Sequence, residues 1–110
     1  MNWIELKSLE QLQDIRNAEG YSVIFKHSTR CSISMMARKR FELDWQTIPE
    51  GTPLYFLDLL NYRDISNAIS SEFDIHHQSP QLLLIKDGEC IYETSHGEIS
   101  ADELAGQIIL

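Results

Sequence analysis

Three short apolar runs, at residues 23–25, 54–60 and 81–85, alternate with stretches of helical periodicity, and this alternation constrains the fold most strongly. Val23-Ile24-Phe25 lies in a strand expected over 21–25, and the run at 54–60 reads as a strand covered on both faces. Upstream, residues 3–6 read as a short extended piece. Ser8 then opens a helix in which Gln11 completes a capping box, Leu9, Leu12, Ile15 and Ala18 form the stripe, and Gly20 ends the element. A second helix is expected over 31–45, with Ile33, Ala37 and Phe41 inward and Met36 and Arg40 alongside. Arg38, Lys39 and Arg40 are then expected on its solvated face. Pro49 and Gly51 mark 46–52 as a loop, and Ile65, Ala68, Ile69 and Phe73 define a third helix. Asp87-Gly88 is a two-residue hairpin signal, Cys90 to Glu93 the returning strand, and Ser95-His96-Gly97 its end. Ser100 and Glu103 form a second capping box before a last helix with Ala101, Leu104, Ala105 and Ile108 inward. Strands joined by crossover helices pair in parallel, and the hairpin adds an antiparallel edge. The expectation is one α/β domain, 1–110, with a mixed sheet.

Within this frame the segment from Tyr21 to Met36 carries the chemistry. A strand ends in a polar turn, and a single cysteine, Cys31, stands where helical spacing begins. A helix N-terminus has unpaired backbone N–H groups and the positive end of the macrodipole, a setting that favours the thiolate over the thiol. The alternative is a buried cysteine acting as a small hydrophobe. Its polar neighbours Arg30 and Ser32 argue for the reactive reading.

Ser34, three residues on, shares a helix face with Cys31 and stands where a dithiol oxidoreductase would carry a second cysteine. A hydroxyl can donate to a thiolate or satisfy backbone groups at the helix start, but it cannot expel a mixed disulfide. Resolution then needs a second thiol molecule. Cys90 is not expected to supply it. The strand from Pro80 to the hairpin spans roughly 20 Å, and a disulfide needs Cα atoms within about 7 Å. Lys26, His27 and Arg30 are candidates for positive potential around the sulfur. His76, His77, His96 and Cys31 invite a zinc reading, but their spacing matches no usual ligand pattern, so no metal is expected.

The net charge of −8 argues against nucleic acid or an anionic membrane surface as partner. No run of 18 apolar residues is present and the first residues lack an apolar signal core, so a cytoplasmic location is expected. Two cysteines without a Cys-x-x-Cys pair are expected to remain thiols there.

Taken together, the cysteine at a helix start and a proline ahead of the penultimate strand make the whole chain resemble the thioredoxin fold, a three-layer α/β/α sandwich. Locally, Lys26-His27-Ser28-Thr29-Arg30-Cys31-Ser32-Ile33-Ser34, Ser79-Pro80-Gln81 and Ser95-His96 resemble the monothiol bacilliredoxins. Two positions depart from that pattern: Ser32 stands where the family usually has proline after the cysteine, and Gly97 where an aromatic is expected. The resemblance implies removal of bacillithiol from mixed disulfides on client proteins, with Cys31 as attacking thiol and no bound cofactor beyond the small thiol as co-substrate. It also implies a cis Ser79–Pro80 bond beside the sulfur, with Ser79, Pro80 and His96 lining the substrate groove. Two other readings stay open: a thioredoxin-fold binding module in which Cys31 is incidental, and a thiol-ligated iron–sulfur carrier like some monothiol glutaredoxins.

Overall fold

The computed structural model describes residues 1–108. The strands are β1 (Ile4–Glu5), β2 (Tyr21–His27), β3 (Leu54–Asp58), β4 (Gln81–Lys86) and β5 (Glu89–Ser95). The helices are α1 (Leu9–Asn17), α2 (Ser32–Leu43), α3 (Arg63–Glu72) and α4 (Ala101–Gly106). The sheet order is β1-β3-β2-β4-β5. The β1–β3 and β2–β3 pairs are parallel, and β2–β4 and β4–β5 are antiparallel. That is the expected mixed sheet.

Alternation along each strand sends side chains to two separate cores. On one face Val23, Phe25, Leu82 and Leu84 pack with Ala37 and Phe41 of α2 and with Leu104 of α4. On the other, Ile24, Leu57, Leu83 and Ile85 pack with Leu12 and Ile15 of α1 and Ile65 and Ile69 of α3. The result is the three-layer α/β/α thioredoxin fold. Trp3 closes the first core, stacked on Phe41 at 5.5 Å between centroids and donating from Nε1 to Glu42 Oε2 at 2.7 Å.

Local signals in the sequence were reliable where both partners are near in the chain. Ser8 and Gln11 form the full capping box of α1, and Ser100 accepts from Glu103 N at the start of α4. Asp87 (φ 51°) and Gly88 (φ 83°) form the hairpin turn, which is stapled to the α1–β2 turn: Gly20 N donates to Asp87 Oδ1 at 2.7 Å, and Asp87 N to Gly20 O at 3.0 Å.

Four expectations need correction. β2 runs two residues past Phe25, so Lys26 and His27 belong to a central strand and are buried. α2 ends at Leu43, and a 3-10 turn at Trp45–Thr47 follows. Its buried face is Ser34, Ala37 and Phe41, an i, i+3, i+7 stripe, which leaves Ile33, Met35 and Met36 more than half exposed. Finally, Tyr55, Phe56 and Asp58 of β3 are only partly covered, because its outer neighbour β1 has just two residues.

Candidate active site

β2 is hydrogen-bonded on both sides, so its C-terminal end is a fixed platform for the turn that follows. Cys31 N donates to Ser28 O at 3.2 Å and closes that turn, while Cys31 O accepts from Met35 N at 3.1 Å. With φ −110° and ψ 118°, Cys31 is the N-cap of α2 rather than its first helical residue. No side chain caps the helix, so the first-turn N–H groups have no side-chain acceptor. Cys31 is a free cysteine and partly exposed as a residue, between exposed Arg30 and Ser32.

Ser34 is fully buried. Its Oγ accepts from Ser28 N at 3.0 Å and is hydrogen-bonded to His27 Nδ1 at 2.8 Å. The hydroxyl thus locks the turn to the helix, the backbone-satisfying role of the two considered for it. Burial, with the Arg38 charge second, pushes His27 below its ordinary pKa, and Asp58 opposes this. His27 is therefore a neutral imidazole at physiological pH rather than a source of positive potential.

Lys26 alternates with His27 and faces the opposite side of the sheet. It is fully buried, and its Nζ lies 2.6 Å from His77 Nδ1 and 3.2 Å from Gln81 Oε1. Burial lowers its pKa from 10.5 to about 8. The same burial lowers His77, with Lys26 and then Arg63 adding to it, so His77 accepts from the lysine as a neutral ring. Lys26 thus ties β2 to the loop ahead of Pro80 instead of standing in solution beside the sulfur.

The Ser79–Pro80 peptide is cis and Pro80 is buried. His96 N donates to Pro80 O at 3.1 Å, which brings Ser79, Pro80 and His96 together; the His96 residue is exposed, at φ 55°. Arg40 of α2 holds this segment by donating to Ile99 O at 3.1 Å and His96 O at 3.3 Å. Arg38 is only partly exposed: its Nε pairs with Glu42 at 3.2 Å and its guanidinium lies 4.5 Å from the Phe56 centroid. Of the three basic residues only Lys39 is exposed.

Cys90 pairs with Ile85 at the hairpin end of the sheet, and Ile85 in turn pairs with Ser22. Cys31 lies beyond His27 at the other end of β2, roughly 17 Å of strand away. Burial raises the Cys90 pKa, with its Sγ 3.5 Å from Tyr92 O. Among the described residues no three His, Cys, Asp or Glu side chains converge as a metal site requires. No described helix is long and apolar enough to cross a membrane.

Sequence reasoning missed a cavity of about 600 Å³ along the length of α2, with walls that include His27, Met35, Met36, Arg38 and Lys39. Apolar residues on more than one face of α2 were the available signal, but they were read as a single stripe.

Comparison with known proteins agrees with this architecture. A structure described as a candidate oxidoreductase with a thioredoxin fold is 29% identical, with a TM-score of 0.82, and the match covers 94% of this chain and 90% of that one. Mitochondrial thioredoxin 3 of Saccharomyces cerevisiae in its oxidised form is 21% identical, with TM-score 0.70 over 96% of this chain and 92% of that one. Thioredoxin from Trypanosoma brucei brucei is 13% identical, with TM-score 0.71 over 96% and 86%. These last two share the fold alone. The family described as monothiol bacilliredoxin BrxC matches residues 4–104. With a lone cysteine at the N-cap of α2 and a serine three residues on, the chain belongs to the monothiol bacilliredoxin family, thiol–disulfide oxidoreductases on the thioredoxin fold.

Proposed function

We propose that this protein removes bacillithiol from mixed disulfides on client proteins in the cytoplasm, with Cys31 as the attacking thiol. The observation that carries this reading is one free, partly exposed cysteine at an uncapped helix N-terminus, with a buried serine where a resolving thiol would stand. The Cys31 thiolate attacks the small thiol's sulfur in the mixed disulfide, and the client leaves as its thiolate. A second small-thiol thiolate then attacks the same sulfur in the adduct, releasing the small-thiol disulfide and restoring Cys31. Each exchange breaks one S–S bond and forms one, and the second small thiol is the net reductant, leaving as half of the released disulfide. The cis Pro80 and its neighbours Ser79 and His96 supply the surface along which an extended client chain is held.

Intact-protein mass spectrometry after exposure to bacillithiol disulfide tests the proposal. One adduct on Cys31 is expected, and Cys31→Ser should abolish both the adduct and de-thiolation of a bacillithiolated client. Cys90→Ser should leave both unchanged, since burial disfavours that thiolate. A native protein that takes up no adduct would refute the redox assignment and favour the binding-module reading.

A further inference from the structure

A fully buried lysine held only by neutral groups costs stability, and Lys26 is one: it sits on the central strand and makes no ion pair among the described residues. What it holds is the irregular segment 76–79 between α3 and β4. Lys26 Nζ lies 2.6 Å from His77 Nδ1 and 3.2 Å from Gln81 Oε1. Gln81, also fully buried, extends the attachment. Its Oε1 accepts from Gln78 N at 3.4 Å, and its Nε2 donates to His76 O at 3.0 Å and to Glu93 Oε2 at 2.9 Å. Both acceptor positions and both donors of that amide are thereby used.

Three consecutive residues, His76, His77 and Gln78, are thus bonded to the Lys26–Gln81 pair, and among the described residues no other hydrogen bond holds 76–79. An ammonium carries donors only, so Lys26 fixes the carbonyl end of the Gln81 amide toward β2 and leaves its NH2 for His76 O and Glu93. The segment leads directly into Ser79 and Pro80. Gln81 is the register partner of Lys26, and one residue after Lys26 the β2–α2 turn begins to form, so the attachment sits at the Cys31 end of the sheet. Lys26 has no exposed surface and cannot touch a bound molecule itself. Whatever it does for binding passes through the loop.

We infer that Lys26 is a positioning residue for the client half of the exchange: with Gln81 and His77 it presets the backbone of 76–79, and so Ser79, to receive the client chain. The inference rests on the exchange reaction and client surface proposed above, and adds what holds that surface in place. A loop fixed beforehand spares the ordering cost that binding would otherwise carry. A small disulfide meeting Cys31 without a client chain makes no use of it.

Two reactions separate these roles. Removal of bacillithiol from a bacillithiolated client protein gives kcat and KM, and uptake of the adduct from bacillithiol disulfide gives a rate that involves no client chain. Lys26→Met should raise the client KM roughly fivefold, the scale of one ordinary hydrogen bond. Its kcat and its adduct rate should hold within about twofold, the signature of lost binding rather than lost chemistry. Exposed His77 tests the same tie from its other end: His77→Ala should match Lys26→Met, and His77→Asn, which keeps an acceptor near the Nδ1 position, should restore much of the native KM. Lys86→Met removes the same charge at the hairpin end of the sheet and should change none of these values. An unchanged client KM in Lys26→Met, or equal losses toward client and small disulfide, overturns the inference while leaving the exchange reaction standing.

Backbone amide relaxation measured by NMR reads the attachment without any reaction. In Lys26→Met the order parameters of His77 and Gln78 should fall from about 0.85 toward about 0.6, while those of β2 and β4 stay rigid. A fall supports the attachment even if bacillithiol proves the wrong small thiol. Unchanged order parameters overturn the inference even if the client KM moves.

Discussion

Replacing Lys26 with methionine should make the protein more stable, and by an amount that depends on pH. Lys26 is fully buried on the central strand and has no carboxylate partner, only His77 Nδ1 and Gln81 Oε1. Its pKa falls from 10.5 to about 8, because burial penalises the ammonium. Each pKa unit is worth about 1.36 kcal/mol, so holding that charge inside costs at most about 3.5 kcal/mol. The two acceptors return part of this and some solvent screening remains, which leaves an expected gain of about 1–2 kcal/mol for Lys26→Met near neutrality. Methionine fills similar space, Gln81 keeps His76 O and Glu93 Oε2, and His77 is exposed enough to hydrate. The sign follows from linkage. The folded-state value lies below the unfolded one, so the penalty is complete below about pH 8 and is relieved as pH rises toward 10.5. Urea titrations followed by tryptophan fluorescence, run on both proteins from neutral pH to about 10, read the difference directly, since other groups titrate alike in each. The stability gap should be widest near neutrality and close at high pH. A variant less stable than the parent at neutral pH, or a gap indifferent to pH, would show that hydrogen bonding to His77 and Gln81 outweighs burial.

Ser34→Ala removes the buried acceptor of Ser28 N and the partner of His27 Nδ1, and should cost about 1–3 kcal/mol in chemical denaturation; a change within error would mean the turn holds without it. Gly20 and Gly88 share φ 83°, but a Cβ on Gly20 meets open space whereas one on Gly88 would overlap the Arg16 carbonyl oxygen. Gly20→Ala should therefore cost about 1–2 kcal/mol from backbone strain alone, and Gly88→Ala distinctly more; equal losses would refute the assignment of the extra cost to Arg16.

The sequence announced what depends on near neighbours and stayed silent on what depends on distant ones. Ser8 with Gln11 and Asp87 with Gly88 sit within a few residues of each other, so their chemistry was readable before any fold was known. The order of strands and helices followed from periodicity, and the cis bond at Pro80 from resemblance rather than from any local demand. The fate of Lys26 was hidden, since its acceptor His77 lies 51 positions along the chain. A lysine after an apolar run reads as a solvated charge near the sulfur, and only partners contributed by other segments make its burial tolerable. The rotation of α2 was missed because Ile33 and Ser34 both fit a helical repeat with Ala37 and Phe41. What chose between them was the Ser28 N–H and the His27 ring, which gave Ser34 a satisfied place inside.

The position of β2 between two partner strands bears on how the molecule breathes. β1, with its two paired residues at the sheet margin, and the short α4 can fray and re-form, while the ladder that carries the sulfur-bearing turn opens only with the rest of the sheet. Amide protons of Ile24, Phe25 and Lys26 are accordingly expected in the slowest-exchanging set. Cys31, at the end of that turn, is thereby anchored to the part of the sheet expected to open last.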